Sequence, residues 1–431
     1  MYQTTDQPKR TVPWRLIALA AGVVAVGILW GRSIMVMIAA LVIIILLHEL
    51  GHFLTAKWSG MKVTEFFIGF GPRLWSTRRG ETEYGIKAIP AGAYVKIIGM
   101  NSYEEVPAED EARTYRQKSY PKRLAVAIAG STMHFLIALV LIFTLLVGFG
   151  TPGGSRAFET VKPTSWKVDN TVEASAAASA GIRQGDRIVS VAGVETPTFD
   201  SLGEVVRPRA GQNVDVVVDR DGQRQTFNVT LGSAVEHGQT IGRLGVYPSL
   251  AYPPNQRVNV LKAVPYTAHD VAYLTGGTVS GMVKLFSPSG IANFADQVFN
   301  GADKGSSNAT GNGSPSSQTP DDQNGGRLVS IVGATQLGAH LLEGGVADFL
   351  RFLAVLNVFI GLFNLIPLLP FDGGHVAIAT YERIREIGQH GRRYFVDVTR
   401  LLPVAYAVVM VLVLIGVSSV YLDVVNPIKI P

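Results

Sequence analysis

Five long apolar segments alternate with stretches of mixed or polar composition along this chain. The segments cover residues 14–31, 34–56, 124–149, 350–371 and 402–421. Crossing the hydrocarbon core of a bilayer takes a helix of about 20 residues. We interpret the first two segments as a helical hairpin turning at residues 31–33, with one long bent helix as the alternative. The pattern predicts a multi-pass α-helical membrane protein with four core transmembrane helices and an extra N-terminal helix.

A polar motif follows the second apolar segment without a break. Residues 34–47 carry no polar side chain, and His48-Glu49-Leu50-Gly51-His52 comes next. An ionisable group at membrane depth costs roughly 2.5–3.5 kcal/mol on insertion scales, so such groups usually mark function. On a helix the two histidines share a face and can bind one metal ion, with Glu49 beside it as a general base. The alternative is a pair of histidines satisfied by backbone carbonyls.

A second carboxylate follows another apolar run. Residues 352–371 are uncharged, and Asp372 comes next. Pro367 and Pro370 lie just before it and break the local helix. Because non-helical backbone at membrane depth is tolerated only inside protein or along a cavity, we predict an opened segment over residues 364–374 with Asp372 as third metal ligand. An ordinary helix end with Asp372 in water is the alternative.

Together the two motifs resemble those of the site-2 protease family, which are intramembrane zinc metalloproteases. HELGH is similar to HExxH, and NLIPLLPFDG at residues 364–373 is similar to NxxPxxPxDG. The order of segments resembles that of the bacterial RseP-type members and their actinobacterial relatives with a PDZ domain. The resemblance implies one zinc ion per chain. It implies cleavage of membrane-spanning proteins, such as anti-sigma factors, after a first external cut.

The resemblance also assigns roles to single residues. The implied zinc ligands are His48, His52 and Asp372. Glu49 is the implied activator of water. The residues expected to contact the substrate are Asn364, Pro367, Pro370 and Gly92.

Two features depart from the family pattern. His134 stands where members often carry Asn or another small polar residue, which leaves its role and that of His375 open. The extra helix at 14–31 exceeds the four-helix plan.

The loop after HELGH contains two short β-rich runs, residues 84–89 and 93–98, around a predicted turn at Pro90-Ala91-Gly92. The resemblance implies a membrane-associated β-hairpin here. Such a hairpin would offer strand-like hydrogen-bond partners to an unwound substrate. A cytosolic hairpin that only closes the site is the alternative.

A soluble β-rich domain is predicted over residues 165–248. AGIRQGDRIVSV at residues 180–191 is similar to the AGL-x-x-GD-x-I-x-x-V pattern of bacterial PDZ domains, and residues 214–218 alternate like a half-buried strand. PDZ domains bind extended chain ends at a strand edge; a rigid plug that excludes folded ectodomains is the alternative. Residues 301–326 are rich in Gly, Ser, Asn and Pro, which predicts a disordered insert.

These observations divide the chain into segments. The predicted segments are 1–33 (tail and extra transmembrane helix), 34–57 (transmembrane helix with HExxH), 58–123 (cytoplasmic loop with the β-hairpin), 124–150 (transmembrane helix), 165–248 (PDZ domain), 249–300 (extracytoplasmic helical segment), 301–326 (disordered insert), 350–376 (transmembrane segment with NxxPxxPxDG) and 402–421 (transmembrane helix).

Basic residues indicate the orientation. Lys and Arg are frequent in the N-terminal tail, in residues 57–123 and in residues 382–400, which predicts that all three are cytoplasmic and that residues 150–349 are external. His48 would then lie about 21 Å from the outer surface, in the cytoplasmic half of the core. We expect a cell-membrane protein whose partners are the lipid bilayer and membrane-spanning substrates.

Composition and the placement of polar residues argue against several other kinds of site and function. The chain has no cysteine, which excludes disulfides and a thiolate metal site. The net charge of +5 is diffuse, and we expect no nucleic-acid partner. A catalytically inactive PDZ membrane scaffold is the alternative function, but a scaffold needs neither HExxH nor Asp372. A metal transporter would spread polar groups along several helices, whereas here they are concentrated at one depth.

Overall fold

The computed structural model describes Gly22, Gly27 and residues 31–100, 104–236, 239–295, 330–388 and 393–425. The predicted insert at 301–326 lies outside these residues, as does nearly all of the predicted helix at 14–31. The described chain forms two compact units. One is mainly helical and takes the residues up to Gly148, those from Asn259 and those from 330 onwards; the other is β-rich and spans Phe149–Val258.

The helices, in chain order, are α1 (Arg32–Trp58), α2 (Tyr120–Thr144), α3 (Ala176–Ala180), α4 (Phe199–Val206), α5 (Val260–Leu285), α6 (Ile331–Gly344), α7 (Val346–Asn364), α8 (Asp372–Gly388) and α9 (Leu402–Val425). The strands are β1 (Val63–Arg79), β2 (Thr82–Ile97), β3 (Thr151–Pro152), β4 (Ser165–Thr171), β5 (Arg187–Val191), β6 (Val194–Glu195), β7 (Asn213–Arg220), β8 (Gln223–Thr230), β9 (Gly232–Glu236), β10 (Gln239–Arg243), β11 (Val246–Ala251) and β12 (Asn255–Gln256).

Four described helical spans are long and apolar enough to cross a membrane, judged by length and composition. They are Arg32–Trp58, Tyr120–Phe149, Val346–Asn364 and Val398–Asp423. Large apolar side chains on them stay exposed, including Ile43, Leu54, Val140 and Val413. Lipid tails can cover such side chains without loss, because the hydrocarbon core is as apolar as they are.

Helix α2 is the centre of the helical unit. It begins after Ser119, whose backbone is extended, and has Pro121 in its first turn, where a missing amide costs nothing. It packs against α1, α7, α8 and α5. Met37 and Ile44 of α1 pack with Phe349 and Leu353 of α7 in a buried cluster. The packing therefore brings four helices from distant parts of the sequence into contact with α2.

The loop after α1 differs in pairing from a simple hairpin. The two predicted β-rich runs, 84–89 and 93–98, do not pair with each other. Both belong to β2, and residues 83–86 and 93–96 pair with the same stretch of β1, Glu65–Ile68, on its two sides. Residues 82–87 pair in addition with residues 73–79 of β1. The prediction of a turn between paired runs was wrong because a long strand that bends looks, in sequence, like two short strands.

The β-rich unit contains one four-stranded antiparallel sheet of order β6-β5-β7-β8 and three two-stranded pairs, β9-β10, β4-β11 and β3-β12. The alternation along β7 buries Val214, Val216 and Val218 and leaves their neighbours partly or fully exposed. These valines join a core with Trp166 and Ile188. The alternation in the sequence thus predicts which face of the sheet is inside.

The glycine and aspartate of the GD pattern have separate structural tasks. Gly185 lies in the left-handed region at φ 89°, so the chain can turn there before β5. Asp186 is buried, and its two carboxylate oxygens accept hydrogen bonds from Nε and Nη2 of Arg220, each at 2.7 Å. The Arg183 amide donates a third at 2.8 Å. Burial alone would raise the pKa of Asp186, but these partners hold the pKa below its ordinary value.

Replacement of Asp186 by Asn should destabilise the β-rich unit by about 1–3 kcal/mol at neutral pH, because Arg220 loses its charged partner. A carboxyl group whose pKa is lowered by folding stabilises the folded state fully at pH values above its unfolded-state pKa of about 3.9. This stabilisation is lost as the pH falls through the folded-state pKa. Pulse proteolysis of the full chain in urea measures the effect. The exposed Asp169→Asn is the control. Equal urea midpoints for Asp186→Asn and the parent chain at neutral pH would contradict the assignment.

Candidate metal centre

Three side chains from two helices meet at one point in the helical unit. His48 and His52 lie one turn apart on α1, and Asp372 is the first residue of α8. The Nε2 atoms of the histidines are 3.3 Å apart. The Oδ2 atom of Asp372 lies 3.5 Å from Nε2 of His48 and 3.3 Å from Nε2 of His52. Among the described residues this is the group of His and acidic side chains that could hold a metal ion.

The dimensions of this triangle fit zinc. Zinc binds histidine nitrogen and carboxylate oxygen at about 2.0–2.2 Å in a tetrahedron, whose edges are then about 3.3–3.6 Å. The three measured separations fall in this range. A zinc ion held by these three side chains would have a fourth position open for water or substrate, as in catalytic rather than structural zinc sites. The buried Oδ2 of Asp372 has no hydrogen-bond partner among the described residues, as expected for an atom reserved for a cation.

Helix α2 orients His52. Nδ1 of His52 lies 2.7 Å from the carbonyl oxygen of Val126 in α2, so Nδ1 donates the hydrogen bond. In the neutral imidazole this leaves a bare lone pair on Nε2, which points to Asp372. Metal-binding histidines usually use their second nitrogen in this way, because the hydrogen bond fixes both tautomer and ring orientation.

Gly130 of α2 leaves the space in which the two imidazoles meet. A Cβ atom added there would lie 2.5 Å from Nε2 of His52 and 2.2 Å from Cε1 of His48. These separations are shorter than any real contact, so a larger residue would displace one ring. The glycine therefore sets how closely α2 approaches the HELGH turn of α1.

The loop between α7 and α8 presents Asp372. Helix α7 ends at Asn364, residues 365–371 are not helical, and α8 begins at Asp372. The opened segment is shorter than the predicted 364–374, since Asp372 to Gly374 form the first turn of a helix. A Cβ atom at Gly373 would lie 2.3 Å from the carbonyl oxygens of both Leu365 and Ile366. The loop can fold back over the start of α8 only because position 373 has no side chain.

Glu49 lies next to the triangle but is not part of it. Its carboxylate is close enough to His52 and Asp372 to interact electrostatically, and it faces the backbone of Val95 in β2. A base must be near the ligands without occupying a coordination position, and Glu49 meets that condition.

The four residues predicted to contact the substrate differ in exposure and in the element that carries them. Asn364 is half-buried in the last turn of α7, whereas Pro367 and Pro370 are exposed in the loop that follows. Gly92 lies in β2 at φ 151°, where a Cβ atom would lie 2.8 Å from Cε2 of Phe70. None of the four belongs to the ligand triangle. Their contact with substrate stays a prediction.

A cleft of about 470 Å³, with both apolar and charged residues in its wall, reaches the first turns of α8. His375, one turn after Asp372, lines it and lies edge-on to Tyr115, with ring centroids 6.5 Å apart. The buried ion pair between Arg123 and Glu382 forms another part of its wall. His375 thus places the first turns of α8 beside a cleft that also has charged residues in its wall.

Three contributors to the site were missed by sequence reasoning. The Val126 carbonyl leaves no trace in the sequence, because every residue has one. Gly130 was visible as a glycine in an apolar helix, but not as the neighbour of the histidines. Asn357 was visible as the one polar residue in the run FLAVLNVFIGLF, and it lies buried beside His134. A lone polar residue at membrane depth is a signal of function that could have identified it.

A triangle of two histidines from an HExxH motif and one aspartate that could hold a metal ion defines the centre. The family model of peptidase family M50 matches residues 36–412, and the chain belongs to that family. This confirms the resemblance to site-2 proteases.

Proteins from several bacteria are similar to the chain over most of its length. Zinc metalloprotease Rip1 of Mycobacterium tuberculosis is 35% identical over 416 residues, which are 91% of this chain and 96% of that protein. Rip1 of Mycolicibacterium smegmatis is 35% identical over 431 residues, 93% of this chain and 99% of the relative. A putative zinc metalloprotease of Rhizobium meliloti is 28% identical over 369 residues, 80% of this chain and 85% of its own.

Replacement of Gly130 by Ala should lower zinc affinity about tenfold or more, because the added methyl group displaces an imidazole. Zinc content after dialysis of the purified full chain against a chelator measures this. Gly148→Ala is the matched control, since a Cβ atom there meets nothing within 4 Å. Zinc retention by Gly130→Ala equal to that of Gly148→Ala would show that the close approach of α2 is not needed.

Proposed function

We propose that this chain is an intramembrane zinc metalloendopeptidase that cleaves the membrane-spanning segments of pre-cut proteins. The observation that carries the proposal is the triangle of two Nε2 atoms and one Oδ2 atom, with separations of 3.3–3.5 Å. A catalytically inactive scaffold has no use for such a triangle on helices of membrane length. Membership of family M50, whose proteases are membrane proteins, and the names of the relatives support the same reaction class.

Glu49 is the proposed general base. Zinc, when bound by His48, His52 and Asp372, supplies the Lewis acidity that polarises a scissile carbonyl and makes water more acidic. Glu49 accepts the proton of the attacking water and passes it to the leaving amine. The Val126 carbonyl holds the His52 ring throughout the reaction. His52 and Asp372 are close electrostatic neighbours of Glu49, which supports this role.

Substrate presentation is the second requirement, because a transmembrane helix hides its carbonyls in its own hydrogen bonds. Residues 93–97 of β2 pair with β1 along one edge, and the other edge has no strand partner among the described residues. The backbone of Val95 faces Glu49. We propose that an unwound substrate adds to this edge as a further strand, which replaces the lost helical hydrogen bonds. Asn364 is then suited to hold the opened backbone from the other side.

Water must also reach the centre. The cleft that His375 lines, with the charged residues in its wall, supports a route from the loops to the first turns of α8. The Lys and Arg content of these loops supports a cytoplasmic location for the mouth of that route. The active site would then lie in the cytoplasmic half of the bilayer.

The proposed substrates are membrane-spanning regulatory proteins of the anti-sigma-factor type, after a first cut has removed their external part. We propose that the β-rich unit is an extracytoplasmic PDZ domain. The AGIRQGDRIVSV pattern and the structural tasks of Gly185 and Asp186 within it support this identification. The lipid bilayer is the other expected partner.

Glu49→Gln should lower the cleavage rate about 10²–10⁴-fold while zinc content stays at the parental value, because the variant loses only the proton acceptor. The assay is disappearance of a tagged, externally truncated anti-sigma-type membrane protein, produced together with the full chain. Glu343→Gln, on an exposed face of α6, is the control for the same chemical change. The proposal fails if the fragment disappears at the parental rate in the Glu49→Gln strain.

Asp372→Asn and His48→Ala should each lose zinc as well as cleavage, since each removes one corner of the triangle. Metal content of the purified chains, measured by mass spectrometry, separates this loss from that of Glu49→Gln. Full zinc retention by Asp372→Asn would remove Asp372 from the ligand set and leave a site of two histidines.

A further inference from the structure

The two histidine ligands are held differently. Nδ1 of His52 donates to the Val126 carbonyl, but Nδ1 of His48 is buried without a hydrogen-bond partner. The backbone of Gly130 interacts with the ring of His48, but weakly, because the pair does not meet hydrogen-bonding geometry. An imidazole with no fixed second nitrogen can rotate about its side-chain bonds, so its orientation must come from other contacts.

The ring of His134 supplies such a contact. Its centroid lies 5.0 Å from that of His48, and the two ring planes are inclined by 45°. His134 follows Gly130 by one turn of α2, so both residues face the HELGH turn. Gly130 makes room for the ligands, and His134 borders the ring of His48.

Asn357 of α7 fixes His134 in turn. Nδ2 of Asn357 donates to the Leu353 carbonyl at 2.8 Å, which directs Oδ1 towards His134. The separation of Oδ1 from Nδ1 of His134 is 3.0 Å. His134 therefore carries its proton on Nδ1. His134 is 1% exposed and Asn357 is 0% exposed, so no solvent competes for these hydrogen bonds.

We propose that His134, held by Asn357, is a positioning residue that keeps the imidazole of His48 in its metal-binding orientation. A network that begins at the backbone of α7 thereby adds to the weak contact that His48 has with the backbone of Gly130. This inference rests on the proposed function, because it takes His48 to be a metal ligand.

The test compares metal binding by four full-length chains in detergent. They are the parent, His134→Phe, Asn357→Leu and the control His340→Phe, which makes the same change at an exposed position of α6. His134→Phe keeps a ring but cannot bond to Asn357, and Asn357→Leu removes the acceptor. Zinc affinity from chelator competition should fall about 10–100-fold in both and stay unchanged in the control. The visible spectrum of the cobalt-loaded chain should shift in both, because it reports ligand geometry.

Circular dichroism melts of the metal-free chains separate positioning from a purely structural role. Loss of thermal stability with parental zinc affinity and an unchanged cobalt spectrum would overturn the inference, as would an effect of His134→Phe that Asn357→Leu does not share. Restored affinity in Asn357→Asp, which keeps an acceptor for Nδ1, would support it. A parent chain that binds neither zinc nor cobalt would instead refute the proposed function, so the two failures are distinguishable.

Discussion

The constraint on which this structure depends is the meeting of three polar atoms, which together could hold one metal ion, inside an apolar environment. Each of them would be costly to bury alone, since a polar group away from water needs a partner. A cation that accepts all three at once removes that cost. Because His48 and His52 come from α1 and Asp372 from α8, this requirement fixes two helices more than 300 residues apart relative to each other.

Helix α2 makes the meeting possible from a third direction. On one face it offers the Val126 carbonyl to His52, the bare backbone of Gly130 to both imidazoles, and the ring of His134 to His48. These three positions are four residues apart, which is the repeat that keeps side chains on one face of a helix. The helix therefore combines close packing with hydrogen bonding, and a change at any of these positions alters the metal centre rather than the lipid-facing surface.

The sequence predicts best what is local. HELGH places two histidines on one helical face by spacing alone, and the alternation along β7 identifies its buried valines. Asp372 was predicted as a ligand from the apolar run and the prolines before it, and the resemblance to a family supported its pairing with His48, because no local rule connects two such distant positions. The pairing of β1 with β2 was misjudged because Glu65–Ile68 has partners on both sides, and that depends on where a long strand bends. The Val126 carbonyl could not be found at all, since its role comes only from packing.

His134 illustrates how a departure from a family pattern becomes informative once contacts are known. As a sequence feature it was one histidine in an apolar helix, more easily explained as a local structural residue. The packing of α7 against α2 gives it Asn357 as a fixed partner, and the packing of α1 gives it His48 as a neighbour. A smaller polar residue would have a shorter reach towards Asn357 and would leave a gap beside His48. The imidazole is therefore large enough to reach Asn357 and to border His48 at the same time.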